Sequence, residues 1–566
     1  MRNAFIAMFL VALSSFLVAQ DKKPAPSSGA DDLPDPIVTK HSVRVGGQTL
    51  AYSVTTGYMP IRNGEGKLEA RVFYMAYTKD GSDAARPLMF SFNGGPGSSS
   101  VWLHLGALGP KRVKMLPNGF MPPPPYDLVD NEHTWLTETD LVFIDPVGTG
   151  FSRAEDPKEQ KFFSLNGDIA SVGEFIRLYL VRNDRWRSPL YLVGESYGTT
   201  RASGLSGYLI DRGIAFNGVL LVSSVMNFQT LRFADGNDLP LVLILPSYTA
   251  TAWYHKQLAP ELQSRSLTEL LRESESFAMN ELAPGLLKAS NLTASERNAL
   301  VGKLSRYTGL SAQFIDRNNM RIELGEFMKE LLRDEKKSVG RLDSRFTGID
   351  KEPAGDGTDF DPSMTAIRPP YTATLNDYVR RELGFKSDLE YYILGGGVGR
   401  WDWNVNNGYA DTSGALRIAM QKNPFMQVFI ASGYYDMATP YFATEYTIAN
   451  MNLAPELRSN IITRYYEAGH MMYIEENSLR VLKQDAAAFI NGSGRQCSVF
   501  PDTRSTAWRS IGLITSKVSA TPFSEPGRLI ISVPFLTPAV PRESIAVGVI
   551  LNDSARMASA IPGASF

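Results

Sequence analysis

Residues 191–198 read YLVGESYG, an apolar run that stops abruptly at a serine between two glycines. The run suits a strand buried on both faces, and the residues that follow, TTRASGLSGYLIDRG, suit a helix. A strand ending in Gly-x-Ser-x-Gly and leading into a helix is a nucleophile elbow. The turn holds Ser196 in a strained backbone conformation, and the flanking glycines let strand and helix approach closely. Such a turn lifts the serine Oγ to the sheet edge and aims the first N–H groups of the helix at developing negative charge. Nothing in that geometry requires Glu195.

Similar apolar runs lie on both sides of the elbow: PLMFSFNGG, DLVFIDPVG and GVLLVSSV, and much later QVFIASGYYD and NIITRYYEAGH. Helical patterns lie between them. In SLNGDIASVGEFIRLYLV, Ile169, Val172, Ile176 and Tyr179 recur near a 3.6 period, with Asn166 or Asp168 available as the cap. This alternation predicts an α/β fold with a mostly parallel central sheet flanked by helices. Ahead of it, HSVRVGGQTLAYSVTTGYMPI and ARVFYMAYTK predict a hairpin or meander. Between Val225 and about Pro424 the strand rhythm gives way to helical stretches such as SLTELLRESESFAMNELA and ELGEFMKELLRDEKK, and to the break EPAGDGTDFDP. The expectation is a largely helical cap insertion, 226–424, over the C-terminal edge of the sheet, dividing the core into 37–225 and 425–496. A separate, independently folded domain is the competing reading.

The chain has 566 residues, 43% of them hydrophobic, with 57 basic against 59 acidic side chains. A formal charge of -2 offers no concentrated basic face for nucleic acid. At the N-terminus, Met1-Arg2 precedes FIAMFLVALSSFLVA and then the polar DKKPAPSSGADD. That pattern predicts a signal peptide over 1–19, cut after Ala19, and a linker over 20–36. No later segment is long and apolar enough to span a bilayer, so no membrane span is expected after cleavage. Cys497 is the single cysteine, which rules out an intrachain disulfide and points to a bacterial periplasmic or secreted protein. The 5 histidines show no HExxH or similar spacing, so neither a metal nor another cofactor is expected. The tail, 497–566, carries apolar patches (RLIISVPFL, SIAVGVIL) but no motif, and no role is assigned to it.

A nucleophilic serine needs a base, and the base needs an orienting acid. In this fold the chain order is Ser, acid, His. Downstream of Ser196 stand only His255, in AWYHKQLAP within the expected insertion, and His470, in EAGHMMY after the last apolar run. His470 fits a loop after a strand, and Asp436 in FIASGYYDMATP fits the loop after the strand before it. NGGPGSSS follows the strand PLMFSF upstream of the elbow, where this fold places backbone donors of its oxyanion hole.

Taken together, NGGPGSSS with ALGP, NEHTWLTETDLVFIDPVGTGFS, GESYG, SGYYDMATPYFATEYTI and EAGH resemble the serine carboxypeptidase family, built on the α/β-hydrolase fold. The resemblance runs from about residue 70 to 490, with the helical region where the family carries its cap. It implies Ser196, Asp436 and His470 as the triad and the Gly95 and Tyr197 N–H groups as the oxyanion hole. It also gives Glu195 a role, since with Asn93 and Gly94 it would bind the free C-terminal carboxylate of a peptide or protein substrate. A protonated glutamate can donate a hydrogen bond to that carboxylate, whereas an ionised one repels it. The implied activity is release of C-terminal residues through an acyl-enzyme on Ser196. The alternatives are an acyltransferase or carboxylesterase with the same triad, or a catalytically silent binding protein.

Three positions depart from the family pattern. Ser91 replaces the usual tryptophan, Ser98 the usual cysteine, and Ala107 the second glutamate that normally shares a proton with the first. With Ala107 there, Glu195 is expected to ionise more readily unless desolvation compensates. His104, three residues earlier, would share that face on a helix and could attract a carboxylate if protonated. The plainer expectation for it is a surface histidine.

Overall fold

The computed structural model describes residues 33–83 and 85–492. The predicted signal peptide 1–19, residues 20–32 of the predicted linker, Cys497 and the tail 497–566 lie outside the described residues.

Among the described residues, nine strands order the main sheet: β1 (Ile37–Val45), β2 (Gln48–Arg62), β3 (Leu68–Lys79), β4 (Leu88–Phe92), β5 (Asp140–Ile144), β6 (Leu190–Ser196), β7 (Gly218–Ser224), β8 (Gln427–Gly433) and β9 (Ile461–Tyr466). Their spatial order is β1-β2-β3-β5-β4-β6-β7-β8-β9, and the two-residue strand Arg153–Ala154 pairs with β3. From β5 onward every pairing is parallel. β1, β2 and β3 form an antiparallel meander joined to β5. The β1–β2 connection is the dipeptide Gly46–Gly47, with φ of 56° and 81°. Two positive φ values match the right-handed twist of a tight hairpin, and glycine reaches them without a Cβ clash.

Alternation along the strands sends side chains into two cores. On β3, Phe73, Met75 and Tyr77 enter one, and Val72, Tyr74 and Ala76 the other. The second core is covered by α1 (Leu165–Arg182) and α2 (Tyr197–Ile210), through Val172, Phe175, Ala202 and Leu205. The cap of α1 is Ser164, whose Oγ accepts the Gly167 N–H at 3.1 Å, rather than Asn166 or Asp168. Both predicted cap residues lie inside the first turn, and the Asp168 side chain is buried against Arg201.

The long segment 226–424 reaches several parts of the molecule. α3 (Leu239–Tyr254) is buried at every position from Pro240 to Ala252, as a helix apolar on all sides must be. α4 (Pro362–Arg381) lines the first core with Ile367, Tyr371, Leu375 and Tyr378, and α5 (Glu476–Ile490) adds Leu479 and Leu482 to the same core. The helix Ser413–Lys422 joins the second core through Leu416 and Met420. Among the described residues, no helix is long and apolar enough to cross a membrane.

Candidate active site

At the end of β6, Ser196 has φ 60° and ψ −131°, a conformation L side chains rarely adopt. The backbone around it is packed too closely for side chains at the flanking glycines. A Cβ on Gly194 would stand 2.1 Å from the Gly198 carbonyl oxygen, and one on Gly198 would stand 2.9 Å from that of Phe92. Tyr197 opens α2, so its N–H has no partner inside the helix. The loop after β4 lies directly against this turn: a Cβ on Gly94 would come within 2.4 Å of the Tyr197 nitrogen. Gly95 sits at φ 99°, a value that suits glycine, and the Ser98 N–H donates to Gly94 O at 3.1 Å.

A buried ion pair between α1 and α2 also anchors the loop after β4. Arg201 donates from Nη1 to Asn93 O at 2.7 Å and from Nε to Asp168 Oδ2 at 2.7 Å. Tyr197 Oη donates to the same Asp168 oxygen at 3.0 Å. Sequence reading missed this network, because Arg201 and Asp168 belong to separate helices and to no motif.

Asp436 and His470 stand on the loops after β8 and β9. His470 Nδ1 lies 2.7 Å from Asp436 Oδ2. Asp436 is fully buried, and its other oxygen accepts the Ala438 and Thr439 N–H groups at 2.8 and 3.0 Å. Burial by itself would raise this carboxyl, but the His470 charge and the donated hydrogen bonds outweigh it and hold the group below the usual carboxylate range. Burial likewise opposes charge on His470, and the neighbouring Asp436 and Glu195 reverse the sign, so the imidazole is raised. His255, by contrast, is tied to Ser344 O at 2.7 Å and takes no part in this cluster.

The segment 341–345 braces both loops. Leu342 O accepts the His470 N–H at 2.7 Å, and Asp343 Oδ2 accepts that of Gly469 at 3.2 Å. Ser344 N–H donates to Tyr435 O at 3.0 Å, and Arg341 O accepts from Met437 N–H at 3.1 Å. Arg345 grips Asp343 with both arms of its guanidinium, at 2.9 and 2.7 Å.

Glu195 is 3% exposed, and its Oε2 accepts a hydrogen bond from Tyr473 Oη at 2.5 Å. Burial pushes its carboxyl up to about 7, against the opposing pull of His470 and the Tyr473 hydroxyl. Desolvation therefore overrides the expected easier ionisation. Ala107 brings no carboxyl; it is buried in the first core within the π-helical turn His104–Leu108. His104 is a correction to the surface expectation. It is fully buried, stacks on Phe143 at 4.1 Å between ring centroids, and places Nε2 2.6 Å from Tyr77 Oη. Desolvation lowers it to about 3, so it is a neutral core residue and not a cation for carboxylates. Ser98 accepts the Trp102 indole N–H at 2.8 Å, a polar contact within the loop.

Beside Ser196 opens a cleft of about 240 Å³, whose walls include Gly95, Tyr197, Val225, Phe228, Arg341 and Met437. Among the described residues no cluster of three or more His, Cys, Asp or Glu is arranged to hold a metal.

The strand order, the parallel run from β5 to β9 and the serine at the strand-to-helix turn define an α/β-hydrolase fold. The chain belongs to the serine carboxypeptidase family, whose model matches residues 46–484. Serine carboxypeptidase-like 9 of Arabidopsis thaliana is 30% identical over 173 residues, which are 28% of this chain and 38% of that protein. Probable serine carboxypeptidase CPVL of Dictyostelium discoideum is 24% identical over 241 residues, 41% of this chain and 44% of that protein. The chain thus spans less than half the length of these curated relatives. The crystal structure of VinJ superposes with a TM-score of 0.33 at 15% identity, covering 77% of this chain and 98% of VinJ.

Proposed function

We propose that the protein is a secreted or periplasmic serine carboxypeptidase that releases C-terminal residues from peptides through an acyl-enzyme on Ser196. The observation that carries this reading is the 2.7 Å His470–Asp436 pair on consecutive loops beside the elbow. In this mechanism His470 takes the Ser196 hydroxyl proton as Oγ adds to the scissile carbonyl. The Gly95 and Tyr197 N–H groups stabilise the resulting oxyanion. His470 then returns the proton to the leaving amino group, and water resolves the acyl-enzyme by the same steps in reverse. Asp436 keeps the imidazole in one tautomer and balances its charge. Asn93, Gly94 and a protonated Glu195 hold the substrate carboxylate, which fixes cleavage at the last peptide bond.

The location rests on the leader-like residues 1–19 and the absence of a second cysteine. The segment 226–424 serves as the cap insertion between core parts 37–225 and 425–496, with the cleft beside Ser196 receiving the acyl side of the substrate. A second reading keeps the triad but draws the acyl group from an ester, or passes it to an alcohol or amine. Ala107 favours it, because one carboxyl of the family's usual pair is missing.

A serine-directed fluorophosphonate tests the shared core of both readings. Peptide mapping should locate the adduct on Ser196, and the Ser196→Ala protein should stay unlabelled. Labelling elsewhere, or none, would remove Ser196 as nucleophile.

A further inference from the structure

Tyr473 lies in the short turn Met472–Ile474, three residues beyond His470, so one loop delivers both side chains. It is 1% exposed, and its ring occupies the space next to Gly106, where a Cβ would come within 2.4 Å of Tyr473 Cε2. The hydroxyl meets Glu195 Oε2 at 2.5 Å. Burial raises the phenol well above its ordinary range, so it stays a donor wherever the enzyme would work.

We propose that Tyr473 is the positioning residue for Glu195: by donating to Oε2 it leaves Oε1 to carry the proton that a substrate carboxylate must receive. This inference rests on the carboxylate-binding reading of Glu195 given above. A neutral carboxyl has one proton and two oxygens, and only the oxygen without the tyrosine donor can present that proton outward. Tyr473 thus supplies orientation where Ala107 supplies none, and it does so without adding negative charge beside the substrate. The other groups acting on Glu195 are His470 and Asp436 from the two loops and Asn93 from the loop after β4. Tyr371 of α4 also interacts with it, and Arg112 acts on Tyr371. Asn93 also hydrogen-bonds with the side chains of Glu195 and Tyr473, and Tyr473 is the donor whose contact with Oε2 the geometry fixes.

The test is kcat/KM against pH for one peptide with a free C-terminus and the same peptide amidated. The ratio of the two cancels the titration of His470 and the fraction of active protein, since both substrates share them. In wild type the acid-to-amide ratio should fall as pH rises through about 7, where Glu195 ionises. A hydrogen bond donated to a carboxylate favours its charged form. Tyr473→Phe should therefore move the inflection up by about one pH unit. It should also lower the ratio on the acidic plateau, because the proton is no longer confined to Oε1. Glu195→Gln should give a ratio independent of pH. An unchanged inflection and plateau in Tyr473→Phe, with Glu195→Gln still altering the profile, would overturn this proposal alone. A wild-type ratio that is flat and identical in Glu195→Gln would overturn the carboxylate-binding role of Glu195, and this proposal with it.

Discussion

Ser196 holds its strained conformation where Gly194, Gly198 and Gly94 let strand, helix and loop approach too closely for a Cβ. Asp436 and His470 are held by hydrogen bonds to each other and to the backbone. If the three act as one unit, Ser196→Ala and His470→Ala should each cost on the order of 10⁴–10⁶ in kcat, and Asp436→Asn on the order of 10⁴. Steady-state kinetics on a free peptide checks this, and near-normal turnover in Asp436→Asn would remove that residue from the set. Glu195 carries a stability consequence of opposite sign to the usual carboxylate. Its value in the folded protein, about 7, lies above the ordinary 4.5 of a glutamate in water. Its contribution is therefore fully present below 4.5 and is lost as pH rises through 7. In urea unfolding at pH 4.5 and pH 8, Glu195→Gln should gain roughly 3 kcal/mol relative to wild type across that interval. A parallel pair of stability curves would show that burial does not hold the glutamate neutral.

Among the elements, the strands β4 to β8 were legible as apolar runs because both sheet faces are covered there, whereas β9, at the edge of the sheet, is mostly half-buried and carries Thr463 and Arg464. α4 was not legible. Pro369 and Pro370 stand inside it, and proline argues against a helix interior unless packing compels it. Here Tyr371, Leu375 and Tyr378 bury enough surface in the first core to do so. Asp436 and His470 could be read from their order after strands. Tyr473 and Asp343 could not, since their partners Glu195 and Gly469 are 278 and 126 residues away in sequence and no local pattern marks them. Gly94 offers a severe test of the two-loop contact: Gly94→Ala sets a Cβ 2.4 Å from the Tyr197 nitrogen, so the Gly95 and Tyr197 N–H groups proposed as oxyanion donors must move. A loss of about 10² or more in kcat is expected, with Gly64→Ala, where a Cβ meets nothing, as the control. Asp343→Ala should slacken the His470 loop and lower kcat for acid and amide peptides by the same factor, leaving their ratio as in wild type. A changed ratio would mean that Asp343 acts on substrate recognition.

At the scale of the whole molecule, the segment 226–424 reaches beyond the cleft. It sends α4 and the helix Ser413–Lys422 into opposite cores, and residues 341–345 to the loops of Asp436 and His470. Replacing it by a short linker should abolish cooperative folding, seen as loss of the thermal unfolding transition in calorimetry. A deletion protein that still unfolds cooperatively would show the core to be complete without it. The central claim, release of single residues from a free C-terminus by Ser196, is tested most directly by a time course on one unmodified peptide read by mass spectrometry. The expected result is a ladder of products, each shorter than the last by one C-terminal residue, absent with Ser196→Ala. Internal fragments, or an intact peptide alongside rapid ester hydrolysis, would contradict it.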